Sequence, residues 1–238
     1  MAGGQGRRKK RQPVLIFVFL FGFLLAAFAS WQLLSGWRED ANARREYAAL
    51  RESIDLMQPG TDRLDMSGFI EQNSDFVGWI MMGGTSIDYP VVQAADNAAY
   101  LRTTFLGQAN PAGSIFMDYR AVRGFDSPLT ILYGHNMRDG SMFAPLHQFA
   151  DVDFAEDYHA ITIITAAGEI LMYRVFDVRA AEAQDAVYAL DPMDSSAVTA
   201  FFGDAPEETG RFLVLSTCAD ASNRDGRLLI FAVYVRSA

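Results

Sequence analysis

The sequence predicts a mostly β fold, a mostly antiparallel barrel or sandwich of about eight short strands with few helices, behind N-terminal helices that include a transmembrane one. Three observations predict it. From Phe76 onward, short apolar runs recur between turns rich in Gly, Asn and Asp, and several alternate with period two. Helical patterns in that region are short and do not alternate with the strands, as a parallel α/β sheet would require. Ahead of it, residues 14–34 form an uncharged apolar run of 21 residues.

The N-terminus comes first. Arg7, Arg8, Lys9, Lys10 and Arg11 form a basic cluster directly before that run. At about 1.5 Å per helical residue the run spans roughly 30 Å, the hydrocarbon thickness of a bilayer. The positive cluster stays in the cytoplasm, which places everything after Trp37 outside. Ala27-Phe28-Ala29 has the form of a signal-peptide cleavage site, but the apolar run continues through Trp31, Leu33 and Leu34. The reading is therefore an uncleaved single-pass anchor in the cell membrane. Four segments are expected: a cytoplasmic basic tail (1–12), the anchor (13–35), an extracytoplasmic helix or stalk (36–63) and a folded domain (64–238).

Residues 39–57 read as a helix, because Ala43, Tyr47, Leu50, Ile54 and Met57 recur at helical spacing and Pro59-Gly60 ends the pattern. Such a helix serves as a stalk or packs on the back of the domain. A second short helix is expected in 64–73. Val77, Trp79 and Met81 alternate, Gly83-Gly84 turns the chain, and Ile87, Tyr89 and Val91 alternate again. Residues 97–104 read as a short helix, 113–118 and 129–133 as strands, and 142–149 as another helix. Residues 161–165 and 169–178 flank Ala167-Gly168 as a hairpin. Residues 194–202 read as a helix capped by Asp194 or Ser195. The chain closes with strands at 211–217 and 227–235.

Charge and composition exclude some functions. Five of the 20 basic residues lie in the tail, leaving 15 against 29 acidic residues in the remainder. An acidic domain argues against nucleic acid and against an anionic membrane surface as partners. The three histidines and one cysteine show no metal-ligand spacing and the glycines form no phosphate loop, so no cofactor is expected.

Cys218 is the one cysteine of the chain and has no disulfide partner, in a compartment that oxidises thiols. It closes an apolar run, so its sulfur emerges at a strand end, either as a nucleophile or as a buried inert thiol. A thiol with a reference pKa of about 8.5 needs a base or a nearby cation to act at neutral pH. His135 ends the run 129–133 just after Gly134, a strand-end position like that of Cys218, whereas His147 and His159 lie elsewhere. If the last two strands pair antiparallel, Cys218 and Arg227 share one rim, where a guanidinium stabilises a developing oxyanion. Arg224, in the connecting loop, is a rival that spacing leaves open; Asp220 or Asp225 could orient His135, but surface solvation is the default for both.

Several segments together resemble class B sortases. They are Val77-Gly78-Trp79-Ile80, Ile87-Asp88-Tyr89-Pro90-Val91-Val92-Gln93, Gly113-Ser114-Ile115-Phe116-Met117-Asp118-Tyr119-Arg120 and Tyr133-Gly134-His135-Asn136-Met137. The likeness continues through Asp139-Gly140-Ser141-Met142-Phe143 and Leu215-Ser216-Thr217-Cys218 to Arg227. The resemblance implies an eight-stranded sortase-type barrel and a membrane-tethered cysteine transpeptidase that cuts exported proteins at a C-terminal sorting motif. It implies that Cys218 attacks the carbonyl after the motif's threonine to form a thioacyl intermediate. His135 then serves the leaving and entering amines, and Arg227 holds substrate and oxyanion. Asn97 and Ser216 match substrate-contact positions, and the 176–202 stretch matches a region that selects the motif. Ala219 departs from relatives that carry an acidic residue there. The acceptor is an amine of peptidoglycan or a pilin lysine. Two other readings compete: a cysteine hydrolase of wall peptides, and an anchored β-domain for adhesion or scaffolding with an inert Cys218.

Overall fold

The computed structural model describes residues 12–55, 64–203, 205, 210–219 and 225–235. The basic cluster, Met57, Pro59-Gly60, Asp220 and Arg224 lie outside the described residues. The chain divides into two compact units between Asn42 and Ala43. One helix, α1 (Gln12–Asp55), takes in both the apolar run and the amphipathic stretch that the sequence reads separately. Its first part is long and apolar enough to cross a membrane, and Ile16, Phe17, Phe19 and Leu24 there are exposed. Within the second unit, Ala43, Tyr47, Leu50 and Ile54 are buried, so this stretch packs as the helical spacing predicts. Tyr47 donates its hydroxyl to Gly113 O at 2.6 Å, and the Glu46 carboxylate accepts from Thr104 and Leu106.

After the short α2 (Ser67–Gln72) come β1 (Phe76–Met82), β2 (Asp88–Val92), β3 (Ile115–Met117) and β4 (Leu129–Tyr133). A 3₁₀ helix (Ala144–Ala150) and α3 (Val152–Asp157) lead into β5 (Ala160–Thr165) and the long β6 (Ile170–Glu182). Then follow α4 (Ala186–Ala189), α5 (Ser195–Phe201), β7 (Phe212–Cys218) and β8 (Gly226–Val235). The eight strands close into a barrel in the order β1-β2-β3-β4-β7-β8-β6-β5. Gly168, at φ +81°, turns the β5–β6 hairpin where any Cβ would strike the Leu64 backbone.

The barrel is mostly antiparallel, as expected, but it includes two parallel pairs, and one expected helix is absent. β2 pairs with β3, and β4 with β7, in parallel. A parallel neighbour needs a crossover, and the chain between β4 and β7 supplies one. Residues 97–104 form bends and turns instead of a helix. Asp96 accepts from the N–H groups of Ala98 and Ala99 as a helix cap would. The next carbonyls, however, are taken from outside: Tyr100 O by Ser114 N–H, and Arg102 O by Asn110 N–H.

β7 is buried on both faces, which explains its unbroken apolar run. Leu213 and Leu215 face the barrel interior with Ile80, Ile115 and Leu132. Phe212 and Val214 face an outer layer in which Val187 of α4 and Val198 of α5 cover β4, β7 and β8. Phe202 stacks on Phe212 at 4.3 Å within that layer. Each such fully buried side chain contributes about 1.5–3 kcal/mol, so the outer layer locks α4 and α5 against the strands that end at the site.

Candidate active site

Cys218 closes β7, and Arg227 lies directly opposite it on β8. Ala219 N–H donates to Gly226 O at 3.0 Å, so the Cys218–Arg227 pair next to it is a non-hydrogen-bonded one. Such pairs bring Cα atoms to about 4.5 Å and place both side chains on one face. The Cys218 carbonyl correspondingly turns away from β8, toward β4.

His135 arrives from β4. The parallel register runs from Leu129↔Phe212 to Tyr133↔Ser216, and Gly134 N–H still donates to Ser216 O at 3.1 Å. Parallel pairing brings two C-terminal strand ends to one rim, which sets His135 beside the end of β7. Glycine is required just before it: a Cβ on Gly134 would stand 2.5 Å from Ile115 Cδ1 and 2.6 Å from the Phe143 ring. The His135 ring holds Leu101 O at 2.7 Å through Nε2. A carbonyl only accepts, so Nε2 carries a hydrogen, and Nδ1 is left to exchange a proton in the neutral ring. The partner seen on the ring is thus a main-chain carbonyl. Asp220 lies outside the described residues, and Asp225 uses its own carbonyl to accept from Ala183 N–H.

Cys218, His135 and Arg227 line one cleft of 120 Å³, walled by Leu101, Phe116 and Tyr133. The thiol is partly exposed, unlike that of an inert core cysteine. Beside it, Arg227 also borders a groove of 410 Å³ with Asn97, Asp118, Tyr119, Arg120 and Tyr188. Among the described residues no cluster of His, Cys, Asp or Glu could hold a metal ion.

The structure thus brings together the three residues singled out for chemistry and places the two substrate candidates differently. Asn97 lies in the adjoining groove, donating to Asp118 Oδ2 at 3.2 Å and accepting from Tyr119 N–H at 3.0 Å. Ser216 lines the cleft, but only 2% of it is exposed, and its hydroxyl meets the Tyr188 hydroxyl at 2.7 Å. Tyr188 in turn stacks on Tyr133, and Tyr133 on Phe116. The floor of the groove is an ion pair between buried Asp118 and half-buried Arg120: Arg120 donates to both carboxylate oxygens at 2.9 Å, and the Tyr133 hydroxyl adds a third bond at 2.9 Å. Burial pushes the Asp118 carboxyl up, but the bonds from Arg120 and Tyr133 outweigh it and hold the group below its ordinary value. Burial raises Tyr133 and Tyr188, so both remain protonated phenols at neutral pH.

Sequence reasoning missed Leu101, Tyr188, Asn136 and His147. Asn136 Nδ2 donates to Cys218 O at 3.1 Å, and His147 Nε2 lies 3.1 Å from the same oxygen. Asn136 sits inside the His135 motif, so its adjacency was a signal. His147 is set aside on sequence because it falls in the stretch read as a helix, and nothing in that local pattern says the segment packs beside the site.

A sortase domain family model matches residues 80–235. Sortase B of Listeria monocytogenes is 45% identical over 95 residues, 40% of this chain and 39% of that protein. Sortase B of Staphylococcus aureus is 26% identical over 94% of each chain. The structure of a Staphylococcus aureus sortase B–substrate complex superposes with a TM-score of 0.72 at 27% identity, covering 84% of this chain and 100% of that one. A barrel with these strand-end residues, matched by that domain over most of its length and by sortase B proteins in both sequence and structure, belongs to the sortase family of cysteine transpeptidases, in its class B branch.

Proposed function

We propose that this chain is a membrane-anchored transpeptidase that cleaves exported proteins after the threonine of a C-terminal sorting motif and joins them to an amine of the cell wall. The observation that supports it most is the meeting of Cys218, His135 and Arg227 in one cleft that opens beside a peptide-sized groove.

Cys218 Sγ, as thiolate, attacks the threonine carbonyl carbon. The negative charge that develops on the carbonyl oxygen falls within reach of the Arg227 guanidinium, whose hydrogen bonds stabilise it. Collapse breaks the C–N bond, and the protonated His135 imidazole supplies the proton that the leaving amine needs. The thioester remaining on Cys218 is then attacked by the acceptor amine. His135, now neutral, takes the proton released, and the second collapse forms the new peptide bond and frees the thiolate. The 410 Å³ groove holds the motif residues before the threonine. Asn97 there keeps one N–H and one oxygen lone pair beyond its two internal bonds, enough to read a backbone amide. The anchor holds the domain on the outer face of the membrane with the N-terminus in the cytoplasm.

The test incubates the soluble domain with a library of threonine-containing sorting peptides and an amine donor, then identifies products by mass spectrometry. A joined peptide carrying the donor amine supports transfer. Water as sole acceptor makes the chain a hydrolase, and no cleavage of any peptide removes the enzymatic reading.

A further inference from the structure

The end of the β4–β7 ladder carries an unusual substitution of donors. Gly134 N–H bonds Ser216 O, and in a regular parallel ladder Asn136 N–H would bond Cys218 O two residues on. The chain bends away first. The His135 carbonyl turns to accept from Phe143 N–H at 2.9 Å, and Asn136 pairs with Met142 in an isolated bridge. The missing rung is rebuilt by a side chain: Asn136 Nδ2 stands 3.1 Å from Cys218 O.

A third atom joins them. His147 Nε2 lies 2.9 Å from Asn136 Nδ2 and 3.1 Å from Cys218 O, closing a triangle of polar atoms. Hydrogen counting fixes which way the Asn136 amide faces. The carbonyl has no hydrogen, so Nδ2 donates to Cys218 O. The His147 Nε2 then either accepts the second amide hydrogen or donates its own to Cys218 O, depending on its tautomer, and each choice fills two sides of the triangle. Flipping the amide leaves only the single Nε2 hydrogen for all three sides. His147 sits on the 3₁₀ helix between the buried Leu146 and Phe149, so packing fixes where its ring lies.

We propose that Asn136 and His147 form a clamp on the Cys218 carbonyl and act as positioning residues for thioacyl transfer. The proposal rests on the catalytic reading above. Asn136 is bonded to His135 through one peptide link, and the carbonyl it holds belongs to Cys218 itself. The clamp therefore ties the residue that carries the imidazole to the one that carries the thiol, at the point where the regular ladder has ended. Misplacement of a reacting group by 1 Å costs on the order of 10²-fold in rate.

The test compares full-length wild type with Asn136→Ala, His147→Ala and His147→Gln in detergent. Transfer is measured with a threonine-containing sorting peptide and a peptide amine, and Cys218 alkylation with iodoacetamide. Asn136→Ala is expected to lower kcat roughly 10- to 100-fold with KM within about twofold. His147→Ala should lower kcat several-fold. His147→Gln should restore most of it, because a glutamine amide can accept the second Asn136 hydrogen or donate to Cys218 O, as either tautomer of the ring would. The alkylation rate should shift at least threefold in both alanine variants and return toward wild type in the glutamine variant. Wild-type kcat in Asn136→Ala, or equal loss in His147→Ala and His147→Gln, overturns the clamp while leaving the transpeptidase reading intact. If wild type joins no peptide, that reading fails by itself. Alkylation then decides the clamp alone, and equal rates in all four proteins overturn it.

Discussion

Gly134→Ala tests the path from backbone packing to chemistry. The added Cβ would lie 2.5 Å from Ile115 Cδ1 and 2.6 Å from the Phe143 ring, about 1 Å inside ordinary contact. Ile115 and Phe143 are both fully buried, so neither can swing into solvent to make room. Overpacking of this kind costs about 1–3 kcal/mol. For a domain of this size each kcal/mol lowers Tm by about 2–4 °C, so calorimetry should show a fall of about 2–12 °C. The alternative to moving the core is to move the β4 end, and His135 is the next residue. A displacement near 1 Å should slow transfer by on the order of 10²-fold. Ile115→Val removes the Cδ1 atom in the closest contact. In combination it should recover part of both losses, so that the double variant is less damaged than the sum of the singles. Gly134→Ala with a Tm within 1 °C and a rate within twofold of wild type would refute the reasoning that crowding at this glycine sets the histidine.

Other outcomes follow from the same geometry. Cys218→Ala should abolish transfer while leaving the melting curve nearly unchanged, since the side chain is partly exposed at a strand end, and measurable peptide cleavage by that variant would remove the nucleophile. Arg227→Ala should lower turnover by about 10²–10³-fold and Arg224→Ala should not, as steady-state kinetics would show; the reverse ranking would mean the other arginine faces the oxyanion. Asp118→Asn should destabilise the domain by about 2 kcal/mol or more at pH 7 in urea titrations. The folded-state pKa of Asp118 is depressed, so its ionised form stabilises the fold above the unfolded value near 4, and the benefit is lost as pH falls through the lower folded value. The wild-type and Asn variants should therefore converge in strong acid, and a gap that persists there would point to packing instead of charge. Mass spectrometry of membranes should recover the intact N-terminal peptide; a mature start at Ser30 would make the protein a processed one.

The strands were legible wherever an apolar run ended at a turn residue. β4 falls on 129–133 as expected, and Asp194 caps α5 through the N–H groups of Ser196 and Ala197. The direction of pairing was not legible. An apolar run such as Leu213-Val214-Leu215 is equally suited to a parallel or an antiparallel neighbour, and β4 and β7 lie far apart in sequence. The 97–104 segment has a helix cap in Asp96, but carbonyls there are claimed by the loop at 110–114 and by the His135 ring, contacts that no local pattern encodes. The same holds at the site. A side chain can be picked out by type and strand-end position, as Cys218, His135 and Arg227 were. A main-chain acceptor such as Leu101 O has no residue type to betray it.

The unlike neighbours of β7 explain why these three residues can share a cleft. His135 follows the end of its strand, Cys218 is the end of its strand and Arg227 is the second residue of its own. Two strand ends meet only across a parallel pair, and an end meets a beginning only across an antiparallel pair, so the central strand must have one of each. β7 does, with β4 on one side and β8 on the other. The antiparallel register is held by seven consecutive pairs, from Phe212↔Val233 to Cys218↔Arg227. The connection at 219–225 can therefore vary in length and composition without moving the arginine relative to the thiol. The parallel side has no such reserve, because its ladder ends at Gly134 and the histidine lies one residue beyond it. Alignment of the imidazole then depends on Leu101 O at its ring and on crowding at Gly134 behind it, and substitutions at this rim should disturb chemistry sooner than those in the β7–β8 loop.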